Sequence, residues 1–280
     1  MNIGFIDFYL DEWHANNYPE MLKNASDGEI TVRYAYAVKE KQDGLTTDEW
    51  CEKFGVTRCG SIEELVEKSD GIVVLSPDNC ELHEELSRLP LKSGKPTYID
   101  KTFAPDLESA KRIFALGERN GTPCWSSSAL RFASEYAELE DKKIKAATLI
   151  GPLDFETYSI HLLEPLMSLM KADAKRVIAV KGDEWHTLSV EFCDGRAAQI
   201  TQFIHGAPFY SVISFEGGKR AFEVKSDYFG EFIRQLVAFF RTKTAPVPHI
   251  DTIRIMALRE AGMKALSNPG SWTEVVPSDV

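Results

Sequence analysis

The most constraining feature of this chain is the stretch from Gly71 to Phe132, which alternates strand, helix, strand, helix and strand. Gly71-Ile-Val-Val-Leu75 is a continuous apolar run, largely β-branched, as expected of a strand buried on both faces of a parallel sheet. It stops at the turn signal Ser76-Pro77-Asp78-Asn79, and a helix is expected from Cys80 to Leu89. After Gly94-Lys95-Pro96 a short strand, Thr97 to Ile99, delivers Asp100, Lys101 and Thr102 at its carboxyl end. Asp106 is placed to cap a helix with Leu107, Ala110, Ile113 and Phe114 on one face and a stop at Asn120-Gly121. Open α/β sheets bind ligands outside the carboxyl ends of their strands. Ser76–Asn79 and Asp100–Lys101 are therefore expected to border one crevice.

The same alternation runs back to the first residues. Strands are expected at 2–7 and 31–38, helices at 13–24 and 46–54, and a capping box at Ser61-Ile-Glu-Glu opens another short helix. Residues 1–125 therefore read as a Rossmann-like, doubly wound parallel sheet. Residues 126–280 read as an α+β domain with a mainly antiparallel, open sheet. Strand-like segments lie at 146–158, 176–180, 187–192, 197–204, 209–215 and 220–225, and Asp194-Gly195 and Gly217-Gly218 sit at hairpin positions. Helices are expected at 160–171, 228–243 and 251–267.

Composition narrows the function classes. A formal net charge of −11 argues against nucleic acid, whose phosphates need a basic face. No apolar run approaches the length of a membrane span. The N-terminus enters a strand directly, without the basic and apolar regions of a signal peptide. Five cysteines, an odd number with no C-x-x-C pair, are simplest as free thiols of a reducing cytoplasm.

Ser76-Pro77-(x)5-His83, then Gly94-Lys95-Pro96, then Asp100-Lys101-Thr102, resembles the glucose–fructose oxidoreductase/inositol dehydrogenase (Gfo/Idh/MocA) family. That family has Pro and His after one strand, then Gly-Lys, then Glu-Lys-Pro; here Asp100 replaces the Glu and Thr102 the Pro. The resemblance implies an NAD(P)-dependent oxidoreductase acting on a sugar, polyol or related secondary alcohol, with a nucleotide domain followed by a sheet domain that pairs into homodimers. It assigns Lys101 a catalytic place beside nicotinamide and substrate hydroxyl, and puts Ser76, Pro77, Asp78, His83 and Asp100 around the cofactor. His161 in His161-x-x-Glu164 matches the family's His-x-x-Asp, whose histidine meets the substrate. It is expected at a helix start, with Glu164 beside it and Pro165 in the first turn. The pair could also ligate a metal, but no third ligand is identified. Arg131 could bind substrate or form an interdomain ion pair.

The first loop departs from the pattern. The glycine positions of G-x-G-x-x-G fall on Asp7, Tyr9 and Glu12, with Phe8 and Asp11 between them. A carboxylate about 5 Å from a phosphate costs about 3 kcal/mol at an effective dielectric near 20. Either the cofactor sits differently, the carboxylates turn away, or dinucleotide binding has been lost. His14 matches a histidine that follows this loop in the family. Lys39-Glu40-Lys41, with Glu40 for ribose hydroxyls and two lysines for a 2′-phosphate, does not separate NAD from NADP. The rival reading is a non-catalytic small-molecule-binding or regulatory protein of the same fold.

Overall fold

A computed structural model describes residues 1–278 and divides the chain into two compact units, 1–127 with 230–249, and 128–229 with 250–278. The first unit is a six-stranded sheet in the order β3-β2-β1-β4-β5-β6, parallel throughout. Its strands are β1 (Asn2–Asp7), β2 (Thr31–Ala37), β3 (Thr57–Arg58), β4 (Gly71–Val74), β5 (Thr97–Ile99) and β6 (Cys124–Trp125). The helices between them are α1 (Trp13–Ala25), α2 (Thr47–Phe54), α3 (Ile62–Lys68), α4 (His83–Leu86) and α5 (Leu107–Arg119).

Local chemistry fixes these boundaries. Thr46 and Glu49 form a reciprocal capping box at α2, and Asp106 caps α5 through the Ser109 amide. At α3, Ser61 accepts from the Glu64 amide, but Glu64 reaches the Gly60 amide, so the expected box is incomplete. The helix expected over Cys80–Leu89 is broken into a 3-10 turn at Cys80–Leu82, the single turn α4, and another 3-10 turn beginning at Pro90, whose ring cannot continue an α-helix.

The second unit is a seven-stranded sheet in the order β12-β11-β7-β10-β9-β8-β13. Its strands are β7 (Ile144–Pro152), β8 (Ala174–Lys181), β9 (Trp185–Phe192), β10 (Ala197–Phe203), β11 (Tyr210–Phe215), β12 (Gly218–Glu223) and β13 (Trp272–Glu274). All neighbours are antiparallel except β7 and β10. The remaining helices of the chain are the short α6 (Ser134–Ala137), α7 (Phe155–Met170), α8 (Tyr228–Thr242) and α9 (His249–Ser267).

Most of α8 belongs to the first unit. Phe232 lies 5.5 Å from the Tyr98 ring and 5.9 Å from Trp125, and a side chain at Gly71 would strike Phe240. Those aromatics bury apolar surface on the parallel sheet, whereas the sequence alone assigned the segment to the C-terminal domain. In the second unit α7 packs on β7 and β10. Gly262 lets α9 approach closely, since a Cβ there would lie 2.5 Å from Phe155.

One boundary matters for function. Helix α7 starts at Phe155, five residues earlier than the sequence suggests, because Asp154 caps it through the Thr157 amide at 2.9 Å. His161 therefore sits in the second turn and not at a helix start, and Pro165 lies inside the helix. No described helix is long and apolar enough to cross a membrane.

Candidate active site

The carboxyl ends of β1, β4 and β5 lie side by side in the first unit. β4 gives way to Leu75, which donates to Ile6 O, and then to buried Ser76 at φ 62°. His83 is fully buried behind this turn. Its Nδ1 is 3.0 Å from Phe103 O and its Nε2 2.7 Å from Leu75 O, so it ties the chain leaving β4 to the chain leaving β5. Burial pushes its pKa below the ordinary imidazole value, despite the carbonyl acceptors.

Asp100 and Lys101 follow β5, and the Lys101–Thr102 peptide is cis. The Asp100 carboxylate is 1% exposed and turns inward. Tyr98 donates its hydroxyl proton to Oδ1 at 3.0 Å, while Oδ2 has no hydrogen-bond partner and lies 3.8 Å from His14 Nε2. Lys101 is half-buried and donates a long hydrogen bond, 3.5 Å, to Pro77 O. Among the described residues no carboxylate comes within ion-pair distance of its ammonium. Asp100, its chain neighbour, therefore does not pair with it. Asp78 is exposed in the turn beside Pro77.

The β1–α1 connection is a knot of internal carboxylates. Asp7, 1% exposed, accepts from its neighbour's amide, Phe8 N, at 2.7 Å and from Ser76 N at 3.0 Å. Glu12 caps α1: its Oε2 accepts from His14 N at 2.8 Å, its Oε1 accepts from Ala15 N, and Oε2 also lies 2.8 Å from His14 Nδ1. Asp11 turns away, accepting from Asn16 at 2.9 Å and Leu45 N at 3.0 Å, while Lys41 donates to its carbonyl. None of residues 7–12 has a positive φ, so glycine's conformational freedom is not needed.

The titration behaviour follows from this packing. Burial first, then the charge of Glu12, raises Asp7 well above the carboxylate range, against the two amides that it accepts. Burial also works against a charged His14, but Asp100 and Glu12 together outweigh it and lift its pKa. At the flank, Lys39 lies over the Phe8 ring at 4.3 Å and Lys41 over Tyr9 at 5.4 Å. Glu40 is engaged by Thr47 N at 2.5 Å and Arg58 at 3.2 Å, the amide bond chiefly holding its pKa low.

In the second unit, His161 Nδ1 is 2.7 Å from the Ser128 hydroxyl, and its ring meets Tyr158 and Phe209 edge-on at 4.5 and 6.1 Å. Glu164 does not face outward beside it. It is 1% exposed, accepts from Ser128 N at 3.3 Å, and pairs with Arg131 at 3.1 Å. Arg131 also holds Asp251 at 2.5 Å, so it closes an ion-pair network within one unit and not between domains. Among the described residues no cluster of His, Cys, Asp and Glu is arranged to hold a metal, which leaves the His161–Glu164 metal pair without support.

Residues 12–128 match a family model described as an oxidoreductase family with an NAD-binding Rossmann fold. Through that segment the chain is similar to the Gfo/Idh/MocA family. Comparison with curated proteins finds no match. Among solved structures the chain is similar to a probable dehydrogenase from Thermotoga maritima (17% identity, TM-score 0.78, 98% of each chain covered). It is also similar to an apo scyllo-inositol dehydrogenase from Lactobacillus casei (13%, 0.79, 98% of this chain and 97% of that one). A third is GenD2 of gentamicin A biosynthesis in complex with NAD (11%, 0.81, 99% and 97%). At these identities the likeness shows the fold.

The Gfo/Idh/MocA family implies a dinucleotide, and the α1 amides test whether one fits. A pyrophosphate in a Rossmann fold is held by amides at the first helix N-terminus. In this chain His14 N and Ala15 N are already bonded to the Glu12 carboxylate, and Phe8 N and Ser76 N to Asp7. The residues present do not fit a pyrophosphate in that seat. Sequence reading identified the acidic positions but missed their partners. The signal it passed over was the place of Glu12, the residue before the first helical residue.

Proposed function

We propose that this Gfo/Idh/MocA protein is an oxidoreductase acting on a secondary alcohol of a sugar, polyol or related ligand, with Lys101 exchanging the hydroxyl proton. The observation that carries this reading is the position of Lys101. It follows β5 at the carboxyl edge of a parallel sheet, half-buried, with no carboxylate among the described residues within ion-pair distance while adjacent Asp100 turns inward. An amine placed so accepts the proton of an alcohol in its neutral form and returns it as ammonium in the reverse direction. His161, oriented by Ser128, is the second group assigned to the ligand; Arg131 and Glu164 support its helix from behind. A nicotinamide dinucleotide is the hydride carrier that the family implies, NAD and NADP being equal candidates, and the β1–α1 residues do not fit its pyrophosphate.

The same fact favours the second reading, a ligand-binding protein of this fold without catalysis. A panel of polyols and sugars offered with NAD+ and NADP+, followed by nicotinamide absorbance, separates the two. The enzyme reading expects turnover of at least one compound and a loss of about 10²-fold or more in Lys101→Met. Turnover that survives the substitution removes Lys101 from the chemistry, and no turnover across the panel leaves the binding reading.

Self-association belongs to the same proposal. Val180, Thr187, Thr201, Ile150 and Tyr210 form one row across the outward face of the second unit's sheet, and Val180 is 54% exposed. A second copy would cover this row; light scattering of the native chain should return a dimer mass, and a monomer refutes it. All five cysteines are free thiols, which suits a reducing compartment such as the cytoplasm.

A further inference from the structure

We propose that Glu12 is a built-in occupant of the pyrophosphate seat, an internal anion that keeps a dinucleotide from the α1 N-terminus until it is removed. A helix N-terminus offers unpaired amides and a partial positive charge, and it takes whichever anion is best placed. Glu12 is covalently tethered there. It takes the His14 and Ala15 amides together and is fixed by the His14 ring on its second side.

Three further observations make this a filled seat and not a loose cap. Only 8% of the Glu12 side chain is exposed, so the carboxylate lies inside the connection and does not sway over it. The neighbouring amides at Phe8 and Ser76 are taken by a second carboxylate, Asp7, so displacing Glu12 frees no alternative cradle. The connection runs through ordinary backbone conformations, so its carboxylates are held by a relaxed chain. A pyrophosphate entering here must break at least two charge-assisted hydrogen bonds and approach carboxylates that stay behind.

This inference does not depend on whether Lys101 is catalytic, and its test reads binding alone. The probes are NADH, NADPH and ADP-ribose, the last carrying the pyrophosphate without nicotinamide. Binding is followed by emission of Trp13, which is next to the seat and 48% exposed, and by calorimetry. The native chain should bind ADP-ribose weakly. Glu12→Gly, which vacates the seat and restores one of the three glycine positions, should bind it at least about tenfold tighter, with NADH or NADPH following. Glu12→Gln, which keeps an acceptor on the amides but drops the charge, should gain less.

Glycine is a tolerable N-cap, and Glu12→Ser restores a strong short cap should Glu12→Gly fail to fold. Melting temperatures and circular dichroism of both certify the fold. Sub-micromolar binding of ADP-ribose or a dinucleotide by the native chain overturns the proposal. So does unchanged affinity in a variant that melts like the native chain. Failure of the polyol panel bears on the enzyme reading, whereas failure here leaves Lys101 untouched.

Discussion

The two units bury acidic groups in opposite ways. In the second, Arg131 stands between Glu164 and Asp251, and each carboxylate meets a guanidinium nitrogen. In the first, Asp7, Glu12 and Asp100 gather without an arginine: the Phe8 and Ser76 amides hold Asp7, the His14 and Ala15 amides hold Glu12, and the Tyr98 hydroxyl holds Asp100. The consequences differ. Burial works against the Arg131 charge, yet Glu164 and Asp251 more than restore it, so the network holds its charges in place. At Asp7 burial is not compensated, and the carboxyl is driven toward its neutral form. A charge-balanced network serves architecture, whereas uncompensated acids at the carboxyl edge of a parallel sheet are the usual mark of a working site.

Breaking the balanced cluster should have the largest effect. Arg131→Met leaves buried Glu164 without its cation and Asp251 with only Arg254 at 3.9 Å, and removing one partner of such a network typically costs about 3–5 kcal/mol. Urea unfolding should show the loss. Arg131→Met combined with Glu164→Gln should lose clearly less than the two single effects added, because the groups share one network. Additive losses would show that Arg131 acts through packing of its stem and not through charge.

The unbalanced cluster should respond with the opposite sign. Asp7→Asn keeps an oxygen for the Phe8 and Ser76 amides but removes the charge, so it should stabilise the fold at neutral pH by on the order of 1–2 kcal/mol. The folded-state pKa of Asp7 lies above its unfolded value, so between the two the native state binds more protons and stability falls as pH rises. The gain from Asp7→Asn should therefore shrink as pH is lowered toward the ordinary aspartate value and vanish below it. Thermal melts of both proteins across pH check this, and a gain that persists in acid would mean that charge is not its source.

The contrast between the clusters was only partly legible in the sequence. Elements marked by local chemistry were readable: Gly71 to Leu75 as a doubly buried strand, Asp106 as a cap, Gly217-Gly218 as a hairpin turn. The start of α7 was not, because Phe155 to Tyr158 carry aromatic and β-branched side chains that continue the strand pattern, and only the Asp154–Thr157 cap marks the change. The parallel pairing of β7 with β10 needs a register that no local run encodes. At the site the acidic residues were visible, but their partners were distant in the chain. Asp7 meets Ser76, 69 residues on, and Arg131 meets Asp251, 120 residues on. Charge can be counted from sequence, whereas compensation of charge depends on which distant amides and cations the fold brings in.

The smallest effect sharpens the comparison most, because it asks whether His14 is the cation that the first unit otherwise lacks. His14 Nδ1 is 2.8 Å from Glu12, its Nε2 is 3.8 Å from Asp100, and its side chain is 13% exposed. Its folded-state pKa is raised because Asp100 and Glu12 overcome burial, with Lys101 opposing them. A raised histidine contributes stability that is complete below its unfolded value and is lost as pH rises through the folded value. His14→Gln keeps a donor for Glu12 but cannot become charged. It should lower stability by about 1 kcal/mol near pH 5.5, the net scale of one intramolecular hydrogen bond. The deficit should close as pH rises through the raised folded-state value, where native His14 loses its charge as well. Paired melts of the native chain and His14→Gln across this window decide it. A deficit of constant size at every pH would show that the imidazole serves only as a ring packed on Trp13 and Tyr18. Glu12 would then rest on backbone amides alone, and Asp100 on the Tyr98 hydroxyl.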